Sequence, residues 1–307
     1  MSEKCIKTEL RLLKGTKCLT LMLVSLIVSV GILYVLNYTE FMSAYDGYTY
    51  MKDFYQENGE TSDDGYEVIE SDDGDLYIEN PLAYYKAQTE QLMVSMSVRY
   101  AGTEAMEGAL FVFPAIFGLL GLFYGAVDYK NHIVKHKVSR LGKQNYWLSK
   151  VCVMFLMVAV AVLIYIALCA VAAIISTAVI SGNVNLESFD TDTIELSTGV
   201  VKPVALMMAM AAVYAAFGLG FGMIFKTRLP GAILILLYAY ALPISGKFDL
   251  TNSIKFMVKK LGCGYGVLTV ESVKDSSVII ALTVLAVCIL IPLAGSYVTV
   301  RKRSAFN

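Results

Sequence analysis

Six stretches of this chain contain no Asp, Glu, Lys, Arg or His, and each is 17 to 30 residues long. They cover 18–36, 108–127, 151–180, 203–225, 229–245 and 277–300. An α-helix needs about 20 mainly apolar residues to cross the ~30 Å hydrocarbon core of a bilayer. Only 17% of the residues are charged, against roughly 25% in soluble domains. The sequence therefore predicts an all-α polytopic membrane protein with six transmembrane helices.

The distribution of Lys and Arg between the loops predicts how the spans are oriented. Sixteen of the 25 basic residues lie in segments 1–17, 128–150, 226–228 and 301–307. Cytoplasmic loops of membrane proteins carry the excess of Lys and Arg, so both termini are expected in the cytoplasm. The expected location is the cell membrane, in a bacterium. The net charge of −1 excludes a protein whose whole surface is basic and binds nucleic acid.

Three segments outside the spans have patterns of their own. Apolar residues at 6, 10 and 13 predict a basic amphipathic helix within 1–17 that lies on the inner membrane surface, with a disordered basic tail as the alternative. In the external segment 37–107, alternation around an Asp-Gly pair predicts a hairpin within 66–79, and a helix is expected after Pro81. Segments 181–202 and 246–276 are also expected outside the membrane. In 246–276 an apolar stripe predicts an interfacial helix, which is carried by Leu250, Ile254, Met257, Val258 and Leu261.

No catalytic or ligand-binding motif in the sequence indicates an enzyme. The chain has no phosphate-binding P-loop and no His-Glu-x-x-His motif. The acidic run at 72–75 lacks the spacing of an EF-hand, and His132 and His136 are expected to be solvated. No catalytic, cofactor or metal site is therefore predicted. Because the six stretches contain no ionisable relay, the spans are not expected to drive transport alone.

The spans are instead rich in aromatic and small residues. Gly218, Gly220 and Gly222, together with Gly121 and Gly125, are expected to allow close packing between helices. Seven aromatic residues are candidates for lining a translocation path: Phe113, Phe117, Tyr165, Tyr214, Phe217, Phe221 and Tyr238.

The connection between the second and third spans carries the most specific local pattern. It begins with Gly-Ala-Val-Asp-Tyr-Lys over 125–130 and continues with Ser139-Arg140 and Lys150. With the six-span layout, this pattern resembles the membrane subunit of ABC-2 type exporters, which belong to the ATP-binding-cassette transporters. Asp128 stands where Glu is commoner in the family, and Asn131-His132 replaces the usual Gly-Thr.

The resemblance implies that 128–150 is a coupling helix that docks on a separate ATP-binding subunit. The residues expected to serve this coupling are Asp128, Lys130, Lys135, Lys137, Ser139, Arg140 and Lys150. The alternative is that 128–150 is only a basic loop that obeys the topology rule.

The same resemblance implies that the chain pairs with a second permease subunit, equal or related, within the membrane lipids. The pair would form the path of an amphiphilic substrate, such as an antimicrobial peptide, a drug or a lipid-like molecule. A different hypothesis is a stand-alone membrane immunity or sensory protein that acts without an ATPase and uses 39–107 to bind its ligand. An intramembrane enzyme is poorly supported, because no catalytic polar group stands out in the spans.

Overall fold

The computed structural model describes residues 3–14, 17–58, 65, 68–70, 76–184, 189, 200–241, 246–261 and 276–302. Within these ranges the chain is helical apart from one short hairpin. The elements are α1 (Glu3–Lys14), α2 (Cys18–Asn58), β1 (Val68–Glu70), β2 (Leu76–Ile78), α3 (Pro81–Ser95), α4 (Ala101–Lys130), α5 (Val134–Leu141), α6 (Lys143–Asn183), α7 (Val201–Phe225), α8 (Leu229–Leu236), α9 (Leu250–Leu261) and α10 (Val278–Lys302).

Five of these helices, α2, α4, α6, α7 and α10, are long and apolar enough to cross a membrane. The fold is therefore that of a helical multi-pass membrane protein. The fifth predicted span, 229–245, begins as the short helix α8 and continues as a π-helix over Leu237–Ala241. Residues 242–245 lie outside the described part of the chain, so this fifth span, and with it the total of six, stays a prediction.

The helix that contains the first predicted span is much longer than the span. Helix α2 does not end at residue 36 but runs for 41 residues to Asn58, a length of about 62 Å at 1.5 Å per residue. Its C-terminal half packs against α3, where the backbone at Gly47 lies directly beside the ring of Tyr85. The charge-free stretch marked only the most apolar part of α2, and the predicted external segment 37–107 thus begins as a continuation of that helix.

The hairpin and the helix predicted beyond α2 are confirmed. Strands β1 and β2 pair antiparallel, with Val68 opposite Ile78. The predicted Asp-Gly turn between them lies outside the described residues. Helix α3 begins with Pro81, and the side chain of Asn80 accepts a hydrogen bond of 3.3 Å from the backbone N–H of Ala83. This cap satisfies one of the N–H groups that a helix start leaves without a partner.

The second predicted span, 108–127, also lies within a longer helix, because α4 begins at Ala101. The added turns carry two acids, and only 4% of Glu104 and 2% of Glu107 is exposed. The side chain of Asn37 in α2 donates a hydrogen bond to Glu104. The expectation of spans without ionisable groups therefore holds for the stretch 108–127 but not for the whole of the helix that contains it.

Helices α4 and α7 make the most extensive contact between any two described helices, and glycines make this contact close. A Cβ atom at Gly218 would overlap the carbonyl oxygen of Gly118, and one at Gly121 would overlap that of Ala215. The two backbones thus touch directly, as small residues at helix interfaces allow. The close packing predicted for the glycine-rich run is confirmed.

The apolar stripe of α9 is present, but its surroundings differ from the prediction. Leu250 and Ile254 are each 2% exposed and Val258 is fully buried, because α9 packs on α10 and α7. The stripe therefore faces other helices of the protein and not the lipid of the outer leaflet. The spacing alone did not distinguish these two environments, since both favour the same apolar face. Residues 262–275 of the predicted external segment 246–276 lie outside the described residues.

Candidate functional site

The predicted coupling segment 128–150 is divided between three helices. Helix α4 continues to Lys130, the separate helix α5 covers Val134–Leu141, and α6 already begins at Lys143. The chain turns twice through left-handed backbone, at His132 with φ 55° and at Gly142 with φ 78°. These tight turns hold α5 close against the ends of the two longer helices.

Helix α5 has two distinct faces. Val134, Lys137, Val138 and Leu141 are half-buried, while Lys135, His136, Ser139 and Arg140 are exposed. The half-buried positions follow the i, i+3, i+4, i+7 spacing of one helix face. Among the predicted coupling residues, Lys135, Ser139 and Arg140 therefore lie on the outer face, and Lys130 is also exposed at the end of α4.

The side chain of Lys137 points inward and joins two other helices. Its Nζ donates a hydrogen bond of 2.7 Å to Oε1 of Glu9 in α1. It also donates to Asp128 at the end of α4, at 2.9 Å to Oδ1 and 3.0 Å to Oδ2. Only 10% of the Lys137 side chain is exposed. One ammonium group thus holds the short helix, the N-terminal helix and the end of α4 together.

Asp128 also binds the start of α6. Nζ of Lys150 lies 3.0 Å from Oδ2 of Asp128, and the hydroxyl of Tyr146 donates a hydrogen bond of 3.0 Å to the same oxygen. Lys150 is fully buried and donates a further hydrogen bond of 3.0 Å to the carbonyl oxygen of Tyr124. Its Nζ also lies 4.1 Å from the centroid of the Tyr124 ring, within the range of a cation–π interaction.

Glu9, Asp128, Lys137 and Lys150 form one group, which we call the four-charge cluster. It contains two carboxylates and two ammonium groups, so its formal charges cancel. The hydroxyl of Tyr124 donates a hydrogen bond of 3.2 Å to Oε2 of Glu9. Buried charges are costly unless they are paired and hydrogen-bonded, and every member of this cluster meets both conditions.

The start of α6 is tied in turn to the end of α10. Nε1 of Trp147 donates a hydrogen bond of 2.8 Å to Oγ of Ser296, and Nζ of Lys143 donates one of 3.0 Å to the carbonyl oxygen of Arg301. The Trp147 ring also meets Tyr297 edge-on. The four-charge cluster is therefore linked through α6 to the last described helix.

The structure brings together only part of the predicted coupling set. Asp128, Lys137 and Lys150 meet in the cluster, whereas Lys130, Lys135, Ser139 and Arg140 face outward. Glu9, which is 1% exposed, is not among the residues that the sequence pattern predicted. Its position could have indicated burial, because Glu9 lies three residues after Ile6 and four before Leu13. At this spacing the three side chains share the face of α1 that packs inward.

The seven aromatic residues proposed for a translocation path fall into two groups. Phe113, Phe117 and Tyr165 are fully buried, and the Phe113 ring meets the rings of Phe117 and Tyr165 edge-to-face, with ring centroids 4.7 and 5.0 Å apart. Tyr214 is buried as well. The other three, Phe217, Phe221 and Tyr238, are half-buried. In this conformation the first group fills the core between α4 and α6 and lines no open path, so its role in translocation stays a prediction.

No protein-family model, curated protein or solved structure matches the chain. Among the described residues, no group of three His, Cys, Asp or Glu side chains is placed to hold a metal ion.

Proposed function

We propose that the chain is the membrane subunit of an ABC-2 type exporter and that α5 couples it to a separate ATP-binding subunit. The proposal combines the sequence resemblance with the arrangement around α5. In this function, ATP-driven movement of the partner pushes on α5, and the spans change their arrangement in response.

The four-charge cluster is the observation that carries this proposal. A surface helix transmits force only if it is fastened to what it must move. Lys137 fastens α5 to α1 and α4, and Asp128 extends the same network to Lys150 of α6. Displacing the inner face of α5 without moving these helices would separate buried opposite charges, which costs several kcal/mol.

The outer face of α5 is suited to docking on the ATP-binding subunit. Lys135 and Arg140 are exposed one and a half turns apart, so they offer positive charge to a partner without first breaking the four-charge cluster. Rim charges of this kind steer association and fix the register of a complex. Docking on this face would therefore leave the inner contacts intact.

The path itself is proposed to form between two permease subunits. Large apolar side chains of α2 and α10 are exposed on the single chain, including Ile27, Leu36, Ile279 and Leu290. Lipid and a second subunit would share this surface. The substrate class proposed is an amphiphile, such as an antimicrobial peptide, a drug or a lipid-like molecule, and the direction proposed is export.

The proposal predicts that a P-loop ATPase is encoded beside this chain, and the test is to co-express the two and to purify through a tag on the permease. The expected result is a stable complex whose ATPase activity in lipid vesicles differs from that of the ATPase alone. A tagged, unrelated multi-pass protein of similar size serves as the control for capture by detergent micelles.

Two results would contradict the exporter function. One is failure to co-purify together with unchanged ATPase activity after reconstitution. The other is resistance to an amphiphilic toxin that persists when the ATPase gene is deleted, because that behaviour belongs to a stand-alone immunity or sensory protein.

A further inference from the structure

A cavity of about 1070 Å³ opens beside the four-charge cluster, at the end of the spans that carries the N-terminus. We call it the interfacial cavity. It lies between α1, the first turns of α2, the last turns of α4 and Arg228 in the link before α8. Ligand pockets for small molecules usually measure about 300–1,000 Å³, so this cavity has room for a headgroup and the adjoining part of an acyl chain.

Four basic side chains line the interfacial cavity: Arg11, Lys17, Lys130 and Arg228. None of these four makes an ion pair with a described side chain. Glu9 and Asp128 also border the cavity, but their charges are balanced within the four-charge cluster. The cavity therefore presents an excess of positive charge to anything that enters.

Arg228 supplies a separate indication that the ligand is an anion. Its Nε is buried and makes no hydrogen bond within the described part of the chain. Its guanidinium carbon lies 4.9 Å from the centroid of the Phe123 ring. A buried donor without an acceptor costs about 1–3 kcal/mol, and a phosphate oxygen would satisfy it. Guanidinium groups match phosphate geometry well.

Apolar side chains of the first turns of α2 also line the interfacial cavity. Leu21 is 54% exposed and Val24 is 52% exposed, one turn apart on the same side. From Lys17 to Val24 the helix rises about 10 Å at 1.5 Å per residue. A ligand here would thus meet basic groups at the level of the headgroups and apolar side chains about 10 Å deeper.

We propose that the interfacial cavity binds an anionic phospholipid of the cytoplasmic leaflet. Its phosphate lies between Arg228 and Lys17, and one acyl chain runs over Leu21 and Val24. Basic pockets between helices on the cytoplasmic side are suited to acidic lipid headgroups. This site is independent of the proposed transport function, because binding there needs neither an ATPase nor a transported substrate.

The experiment titrates dioleoylphosphatidylglycerol into the full chain in neutral detergent and follows the unfolding temperature and, by native mass spectrometry, the number of bound lipids. We expect saturable stabilisation by this lipid and none by dioleoylphosphatidylcholine. The variant Lys17→Gln/Arg228→Gln should bind roughly 30-fold more weakly, since each basic residue at an anionic surface contributes a factor of about five.

Two further variants keep the test independent of folding. Lys17→Arg/Arg228→Lys retains both charges and should bind within a few-fold of the unmodified chain. Arg301→Gln/Lys302→Gln removes two exposed charges from the same end of the protein but outside the cavity, and it should bind normally. Equal weakening by this second pair would overturn the site, because binding would then depend on overall charge.

Inorganic phosphate distinguishes the two sources of a phosphate group. The proposal predicts no saturable stabilisation by phosphate alone, since the acyl chain contributes part of the binding. Stabilisation by phosphate equal to that by the lipid would contradict a lipid site, and so would equal binding of the phosphatidylglycerol to the unmodified chain and to Lys17→Gln/Arg228→Gln.

Discussion

The ammonium group of Lys137 donates a hydrogen bond of 2.7 Å to the carboxylate of Glu9, a residue 128 positions away in the sequence. The contact joins α5, which lies between two spans, to the N-terminal helix α1. Because Lys137 also binds Asp128, the N-terminal helix shares one charged group with the coupling segment. Movement of α5 and movement of α1 are therefore expected to be linked.

Replacing Glu9 with Gln should loosen both short helices. The substitution keeps the size of the side chain but removes the charge that Lys137 and Tyr124 bind. A hydrogen bond to a charged group contributes about 1.5–3 kcal/mol. Hydrogen–deuterium exchange should accelerate at the backbone amides of α1 and α5 and remain unchanged in α7.

Glu57→Gln is the matched control, because Glu57 is exposed near the far end of α2. It should leave exchange in α1 and α5 as it is. Unchanged protection of both helices in Glu9→Gln would show that the ion pair does not hold them in place.

Lys150→Met should be severely destabilising, although the new side chain is apolar and of similar length. It leaves Asp128 buried without one of its two cations, and breaking a buried ion pair in this way costs about 3–5 kcal/mol. The free energy of unfolding in mixed micelles measures the loss. The fluorescence of Trp147, the single tryptophan of the chain, reports it from the same turn of α6.

The double variant Asp128→Asn/Lys150→Met supplies the control for this prediction. It removes one charge of each sign and leaves Lys137 paired with Glu9. We expect it to be more stable than the sum of the two single variants predicts, by about 0.5–3 kcal/mol. Strict additivity would mean that Asp128 and Lys150 do not interact.

Gly218→Ala should separate α4 from α7. The new Cβ would overlap the backbone of Gly118 and Leu122, which no change of rotamer relieves. Overpacking of this kind costs about 1–3 kcal/mol, to be measured as a lower unfolding temperature in detergent. Gly31→Ala is the control, since nothing lies within 4 Å of a Cβ there. Similar unfolding temperatures for the two variants would contradict the close contact.

Composition and spacing predicted much of the fold correctly. Charge-free stretches located α7 and α10 to within two residues at each end, because charges flank these helices directly. The helices that contain the first two charge-free stretches extend well beyond them, α2 to Asn58 and α4 from Ala101. Helices continue into water or into buried polar contacts wherever propensity and packing allow, and a count of charges does not detect this.

The four-charge cluster was only partly predictable. Asp128, Lys137 and Lys150 belong to the predicted coupling set. The local pattern of charges, however, does not indicate which of these side chains are buried. Glu9 joins them through a tertiary contact with α1, and local spacing holds no information about its partner. The inward direction of Lys137 and the outward direction of Arg140 follow from how α5 sits on its neighbours, which only the folded chain specifies.

The most direct measurement of the central claim is the ATPase activity of the reconstituted complex with charges reversed on the outer face of α5. Lys135→Glu/Arg140→Glu alters two exposed side chains and leaves the four-charge cluster in place. Lys259→Glu/Lys260→Glu, at two exposed positions of α9, is the matched control. The account predicts that the α5 variant inserts and folds normally but loses the permease-dependent change in ATPase activity, on the order of tenfold or more, while the α9 variant keeps it. Unmodified coupling in the α5 variant would contradict the docking role of this helix.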